Sequence, residues 1–145
     1  MSDFLYHSDF VPEEFIYFHD KFDCDALDRY GVKGPRAWVL SWLVRSATSG
    51  KMQYTEVENL IYYWAHYPSV ALACAISKKQ VACAFNWLCK EGKDYSNHPG
   101  PAFLRKYKEN GRYGGTNVCF AINRDALSLL LTPESRLILE GLEVA

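Results

Sequence analysis

The sequence lacks any apolar run long enough to cross a membrane. A transmembrane helix needs about 20 consecutive apolar residues, and no stretch of the 145 residues approaches that length. The opening MSDFLYHSDF also lacks the basic start and apolar centre of a signal peptide. These absences predict a soluble cytoplasmic protein with no membrane partner.

Motifs of the common enzyme classes are missing too. The chain contains no GxSxG, no HExxH and no P-loop, and GRYGG is not followed by the Lys-Ser/Thr pair of a nucleotide-binding loop. One local cluster, His19, Asp20 and Cys24, has the residue types of a catalytic triad. Successive helical residues point about 100° apart, so His19 and Asp20 do not form a relay with Cys24. We therefore predict that the protein is not an enzyme.

Paired cysteines are also absent. The chain has five cysteines, an odd number, without a CxxC motif, and its four histidines do not stand at zinc-finger offsets from them. The five are Cys24, Cys74, Cys83, Cys89 and Cys119. Since free cysteine is among the most buried residue types, we expect reduced thiols that fill apolar space, and neither a metal nor another cofactor.

Apolar and aromatic side chains, in contrast, are plentiful. The hydrophobic share is 49% and the aromatic share 15%, far from the composition of disordered chains. A chain of this length buries about two-thirds of its unfolded surface when it folds. The sequence shows no internal repeat and no low-complexity segment. We predict one domain that spans residues 1–145.

Charge is distributed unevenly although the net charge is only −1. Residues 1–30 hold eight acids and two bases, which gives −6, and residues 132–145 hold three acids and one base, which gives −2. Residues 31–131 hold thirteen bases and six acids, which gives +7. Because a phosphate responds to the local field, this basic middle is compatible with a nucleic-acid surface.

Two helices are predicted in the first third of the chain. Residues 12–30 start with Pro12 and two glutamates, which favour a helix N-terminus, and they form a predicted acidic helix. Residues 35–48, PRAWVLSWLVRSAT, are apolar around most of the helical circumference. A helix of that kind usually lies at the centre of the core.

The next segment is predicted as a short edge strand followed by a third helix. The strand is KMQY, residues 51–54, and the helix is TEVENLIYYWAHY, residues 55–67. Thr55 and Glu58 have the spacing of a capping box at the start of that helix. The following SVALACA, residues 69–75, fits either a loop or an additional helix.

A fourth helix is predicted over residues 77–91, within ISKKQVACAFNWLCKEG. Ser77 and Gln80 have the spacing of a second capping box, and Gly92 is the expected stop. An apolar stripe leaves Lys78, Lys79, Asn86, Lys90 and Cys83 on the outer side. Trp87 falls at the edge of the stripe and is predicted to be available for a dimer or partner contact.

After Gly92 the pattern changes to strands and short helices. Alternating apolar residues in 103–107 and 118–122 predict two antiparallel strands with a glycine-rich tip between them. Asn123 caps a predicted helix over residues 124–131, and Thr132 and Pro133 begin a last short helix within residues 132–145.

The order of these elements over residues 34–131 resembles the winged helix-turn-helix superfamily of phage, plasmid and bacterial regulators and replication initiators. Three stretches carry the resemblance: PRAWVLSWLVRSA, ISKKQVACAFNWLCKEG and FLRKYKENGRYGGTNVCFAIN. It implies a mainly α fold with a β-hairpin, the wing, at residues 103–122. Additional helices stand at both ends of the chain.

The resemblance also implies that helix 77–91 enters the major groove of double-stranded DNA with its N-terminal side chains. The residues implied are Ser77, Lys78, Lys79, Gln80, Cys83 and Asn86. Gln80 and Asn86 are chemically able to pair with adenine, and Lys79 with guanine. Gln80 cannot make both hydrogen bonds to an adenine base while its side chain closes the capping box.

The wing has a basic composition that fits phosphate contacts. Its predicted contact residues are Arg105, Lys106, Lys108, Arg112 and Tyr113. Lys51 and Arg36 could extend the patch. Two alternatives remain open at this point: a charged hairpin can be a solvated edge that prevents aggregation, or it can bind a protein.

Three interpretations of the acidic N-terminal helix remain open. It could cover the core, form a homodimer together with the C-terminal helix, or bind a protein partner of the host. A two-fold dimer fits palindromic DNA, so we expect a nucleoid-associated regulator of transcription or replication that is a homodimer. The alternative is a winged-helix module of a phage or plasmid factor that binds a host complex without contacting DNA.

Overall fold

The computed structural model describes residues 20–91, 98–107 and 117–144. The α-helices are α1 (Cys24–Arg29), α2 (Pro35–Thr48), α3 (Tyr67–Cys74), α4 (Lys78–Leu88) and α5 (Arg124–Ser128). The strands are β1 (Tyr54–Val57), β2 (Leu60–His66), β3 (Leu104–Lys106) and β4 (Asn117–Ile122). A 3₁₀ helix follows at Pro133–Gly141. The protein therefore combines α-helices with a small β-sheet.

The four strands form one antiparallel sheet in the order β1-β2-β4-β3. Phe120 of β4 lies opposite Tyr63 of β2 on one side and opposite Lys106 of β3 on the other. The Phe120 ring contacts the ring of Phe85 in α4, with centroids 6.1 Å apart. One face of the sheet thus packs on the helices, and β4, the second strand of the predicted wing, is central.

Helix α2 lies in the middle of the core, as its apolar circumference predicted. Leu40 and Val44 have no exposed surface, and Val39 and Leu43 are 1% exposed. The helix packs against α3, α4 and the 3₁₀ helix. Among the described residues, none of the helices is both long and apolar enough to span a lipid bilayer.

The predicted third helix is wrong, because residues 54–66 form the β1–β2 hairpin. Val57 pairs with Leu60 across a turn formed by Glu58 and Asn59, whose φ angles are 52° and 67°. Positive φ at both central residues is the geometry of a type I′ turn, which matches the twist of paired strands. Thr55 and Glu58 therefore form no capping box. The aromatic and β-branched side chains of this segment favour the strand conformation.

The predicted helix over residues 12–30 is interrupted at Phe22 and Asp23 in the part that the structure describes, residues 20–30. Phe22 forms an isolated bridge with Leu131, and the carboxylate of Asp23 accepts hydrogen bonds from the N–H groups of Asp25 and Ala26. Helix α1 therefore starts anew at Cys24. Residues 12–19 of the predicted helix lie outside the described residues.

The remaining boundaries follow the predictions with local differences. The segment after Pro68 is helical as α3, which confirms one of its two alternatives. Helix α4 ends at Leu88 instead of residue 91, because Lys90 takes a left-handed conformation with φ of 57°; Gly92 lies outside the described residues. Asn123 caps α5 as predicted, but α5 ends at Ser128. The last predicted helix is present as a 3₁₀ helix.

Candidate functional site

Helix α4 starts at a fully formed capping box. The Gln80 N–H donates to Ser77 Oγ at 3.1 Å, and the Ser77 N–H donates to Gln80 Oε1 at 2.9 Å. A turn at residues 75–77 separates α4 from α3, with Ala75 at φ of 58°. The capping box confirms the sequence prediction and fixes where the first turn of α4 begins.

The outer face of α4 carries the polar side chains that the sequence placed there. Ser77, Lys78, Lys79, Gln80 and Cys83 are all exposed. The opposite face is buried through Val81, Ala84, Phe85, Trp87 and Leu88. Gln80 uses its carbonyl oxygen in the capping box, so its amide N–H groups are the part of this side chain available to a ligand.

Strand β3 lies beside one flank of α4. The Phe103 N–H donates to the carbonyl of Leu88 at 3.0 Å, and Lys106 Nζ donates to Asn86 Oδ1 at 3.4 Å. Asn86 is half-buried and its amide oxygen accepts from Lys106, so only its side-chain N–H groups could donate a hydrogen bond to a ligand. The structure therefore brings Lys106 and Asn86 together on the α4 side of the sheet.

Arg105 points away from α4. Successive residues of a strand alternate between the two faces of a sheet, and Arg105 lies opposite Ala121, which belongs to a small cluster on the other face. The side chain is exposed. The predicted wing residues Lys108, Arg112 and Tyr113, and the glycine tip, lie outside the described residues.

The other flank of α4 carries an arrangement that sequence reasoning missed. The guanidinium carbon of Arg36 lies 4.0 Å from the centroid of the Trp87 ring, and Arg36 Nη1 donates to the carbonyl of Gly31 at 3.2 Å. Trp87 is completely buried, so the expectation of an available partner contact there is wrong. Arg36 and His98 cover the indole that the apolar stripe alone would leave at the edge.

His98 stacks on the same indole. Its ring centroid lies 4.0 Å from that of Trp87 and 5.5 Å from that of Phe103. The Gly100 N–H donates to His98 Nδ1 at 3.2 Å, which places the proton of the neutral ring on Nε2. Burial, with a smaller contribution from the positive charges of Lys90 and Arg36, lowers the pKa of His98 to about 4.

This lowered pKa predicts a loss of stability in mild acid. In the unfolded chain His98 has a pKa near the ordinary 6.5. Between about pH 6.5 and pH 4 the unfolded chain therefore binds a proton at His98 more readily than the folded chain does. The contribution of neutral His98 is therefore complete above the unfolded pKa and is lost as the pH falls. We expect the urea midpoint of wild type to drop between about pH 7 and pH 5.

His98→Phe keeps an aromatic ring between Trp87 and Phe103 and removes the titration. Its urea midpoint should depend less on pH than that of wild type. An identical pH dependence in wild type and His98→Phe would contradict the assignment.

The cysteines differ in exposure: two are buried, two are exposed and Cys74 is half-buried. All five are free thiols. Cys89 and Cys119 are buried as expected, and burial raises the pKa of Cys119 to about 11. Cys24 and Cys83 are exposed, so they do not fill apolar space. Within the described parts of the chain, no group of three or more His, Cys, Asp and Glu side chains is placed to hold a metal ion.

A surface with basic side chains on both flanks of α4 therefore stands out in the fold. Comparison with known proteins adds no family to this geometry: no family model, no curated protein and no solved structure matches the chain.

Proposed function

We propose that the chain is a winged helix-turn-helix protein that binds double-stranded DNA and regulates transcription or replication. In this proposal α4 enters the major groove and the β3–β4 hairpin contacts the backbone. The protein acts as a homodimer, since a two-fold dimer fits a palindromic site.

The observation that carries the proposal is the pairing of α3 and α4 next to the hairpin. The two helices are joined by residues 75–77, the connection length typical of a helix-turn-helix. They follow α2, the next described strands after them are β3 and β4, and β4 pairs back onto β2. This order of elements supports the winged-helix interpretation even though the β1–β2 hairpin replaces a predicted helix.

The chemistry of α4 suits the edges of bases. Lys79 and Gln80 are exposed in the first turn, the part of a recognition helix that usually reaches the bases. Lysine can donate to guanine, and an amide can pair with adenine. Because Asn86 has its oxygen engaged by Lys106, we assign direct base contacts to Lys79 and Gln80, and we give Asn86 a positioning role for Lys106.

The test is fluorescence anisotropy of the purified protein with labelled duplex DNA of random sequence across a salt series. Non-specific binding is mostly electrostatic, and log K should fall by about 0.9 per tenfold rise in salt for each phosphate neutralised. We expect tight binding at low salt and a steep salt dependence. Absence of binding at low salt would overturn the proposal.

A second candidate function is protein binding, and α3 favours it. Leu72 is 85% exposed, and residues 67–77 contain no charged side chain. An exposed apolar side chain on an uncharged helix fits a protein contact better than a phosphate. If DNA binding is absent, this face of α3 is the surface on which a protein partner should be sought.

A further inference from the structure

We propose that a cavity at one end of the sheet is a binding site for a small organic carboxylate, a molecule with an apolar body and one negative charge. In this site Arg124 and Tyr63 hold the carboxylate group. The inference goes beyond the proposed DNA binding and does not depend on it, because neither side chain belongs to α4 or to the predicted contact residues of the wing.

The cavity lies where β2 and β3 begin and β4 ends, and its volume is about 710 Å³. Sites for small molecules are usually concave, mostly apolar and about 300–1,000 Å³ in volume. Ile61, Leu104 and Ile122, one from each of these strands, supply apolar wall. Leu60 and Val144 also line the cavity, although they are 37% and 79% exposed. A ligand with an apolar body would cover these two exposed side chains.

The carboxylate site is built around the main chain of Glu143. Arg124 Nη2 donates to the carbonyl oxygens of Leu142 and Glu143 at 3.2 and 3.4 Å, and the Glu143 N–H donates to Tyr63 Oη at 2.7 Å. Burial raises the pKa of Tyr63, while the positive charge of Arg124 opposes that rise. The guanidinium and the phenol therefore meet at one residue of the cavity wall.

Both side chains have hydrogen-bond donors left for a ligand. A guanidinium has five N–H groups, and among the described residues Nη1 and Nε of Arg124 have no partner. The Tyr63 hydroxyl accepts the Glu143 N–H, but its own proton has no acceptor among the described residues. Tyr63 is 2% exposed and lines the cavity, so the cavity is where such an acceptor would lie. A carboxylate has oxygens for both groups.

The other charged side chains around the cavity limit the ligand to one negative charge. Three carboxylates line it, those of Glu91, Asp125 and Glu143. With Arg105 and Arg124 the lining therefore has a net charge of −1, and the Glu143 carboxylate faces the Tyr54 hydroxyl and raises the pKa of that group. A polyanion such as a nucleoside triphosphate would be repelled. A single carboxylate is bound by the donors that converge on it and not by the overall field.

The experiment titrates the full chain with three probes that share one naphthalene ring: α-naphthoate, the neutral α-naphthamide and the cation α-naphthylmethylammonium. Two-dimensional amide NMR spectra report binding and its place, through shift changes at Ile61, Ile122 and residues 142–144. We expect saturable binding of α-naphthoate with a dissociation constant of about 1 mM or below, the affinity expected for about thirteen heavy atoms. The amide and the cation should bind about tenfold more weakly or worse, because a hydrogen bond to a charged acceptor is the stronger kind.

Arg124→Gln and Arg136→Gln form a matched pair for the carboxylate contact. Both arginines are exposed and donate to main-chain carbonyls, but Arg136 donates to Ser128 and is not part of the cavity lining. Arg124→Gln should weaken α-naphthoate about tenfold or more and leave α-naphthamide nearly unchanged, whereas Arg136→Gln should bind both probes like wild type. An equal loss for both probes in Arg124→Gln would mean that Arg124 only holds the chain around Glu143 in place, and would overturn its assignment.

Tyr63→Phe keeps the test decisive if Arg124→Gln unfolds the chain. It should weaken α-naphthoate roughly fivefold or more, while Tyr62→Phe, at the neighbouring buried tyrosine on the other face of the sheet, should not. Equal affinity of wild type for the three probes, tightest binding of the cation, or no shift changes around the cavity would each overturn the carboxylate site. DNA is absent from these titrations, so their failure leaves the proposed function standing.

Discussion

Reversing the charges of Lys79 and Arg105 together is expected to abolish DNA binding while leaving the fold intact. Both side chains are exposed, so the substitutions Lys79→Glu and Arg105→Glu disturb no buried contact. Lys79 stands in the first turn of α4, and Arg105 lies on the face of β3 away from α4, where the proposed backbone contact of the hairpin would use it. A glutamate at either position would meet the DNA with a like charge. Losing the Lys79 base contact costs about 1–3 kcal/mol, losing the Arg105 phosphate contact costs about fivefold in affinity at physiological salt, and repulsion adds to both.

Anisotropy with labelled duplex DNA measures the effect, and circular dichroism checks that the variant is folded. The double variant changes the net charge by −4, so the control must do the same. Lys51→Glu with Arg136→Glu makes that change at exposed positions outside the surface formed by α4 and β3. Unchanged affinity in the Lys79 and Arg105 variant would refute the placement of α4 in the groove.

The helices that the sequence predicts correctly are those with an unambiguous pattern. α2 is apolar around most of its circumference, and α4 has a capping box at Ser77 together with a stripe at helical spacing. Both signals are local and agree with the tertiary packing, so the helical conformation that they predict is retained in the fold. The antiparallel pairing of the hairpin strands β3 and β4 is as predicted, although β4 is buried at four consecutive positions and does not alternate.

The β1–β2 hairpin could not be predicted from the same kind of signal. Thr55 and Glu58 have capping-box spacing, but Glu58 and Asn59 take positive φ angles in a turn. Glycine is the residue that usually indicates such a turn in a sequence. The run LIYYWAH is apolar and aromatic on both faces, and periodicity alone does not tell a buried strand from a helix there. Pairing with β4 decides the outcome, and that partner lies more than 50 residues away.

The candidate site was predictable in part for the same reason. The outer residues of α4 follow from one helix, whereas the stack of Arg36, Trp87 and His98 joins side chains from three different segments, of which that of Arg36 lies about 50 residues from the other two. No spacing rule connects them. An arginine at the start of one helix and a tryptophan at the edge of another apolar stripe become informative only when the two helices are packed.

Trp87→Ala is expected to destabilise the fold by about 3–5 kcal/mol, the usual loss for a buried tryptophan. The indole is completely buried and lies between the Arg36 guanidinium and the His98 ring, each at 4.0 Å. Alanine would remove the stacking partner of both groups, leaving a cavity beneath a charged side chain. Urea unfolding followed by far-ultraviolet circular dichroism measures this loss without relying on tryptophan fluorescence.

Trp87→Phe is the sharper comparison, because Trp87 Nε1 is buried with no hydrogen-bond partner among the described residues. A buried donor without an acceptor costs about 1–3 kcal/mol, and phenylalanine removes that donor while it keeps a ring for Arg36 and His98. We therefore expect Trp87→Phe to lose less than about half of what Trp87→Ala loses. Trp64→Ala, at a half-buried tryptophan of β2, should also cost less than Trp87→Ala. If Trp87→Phe and Trp87→Ala lowered the free energy of unfolding equally, the stabilisation would come from the volume that the indole fills and not from ring stacking with Arg36 and His98.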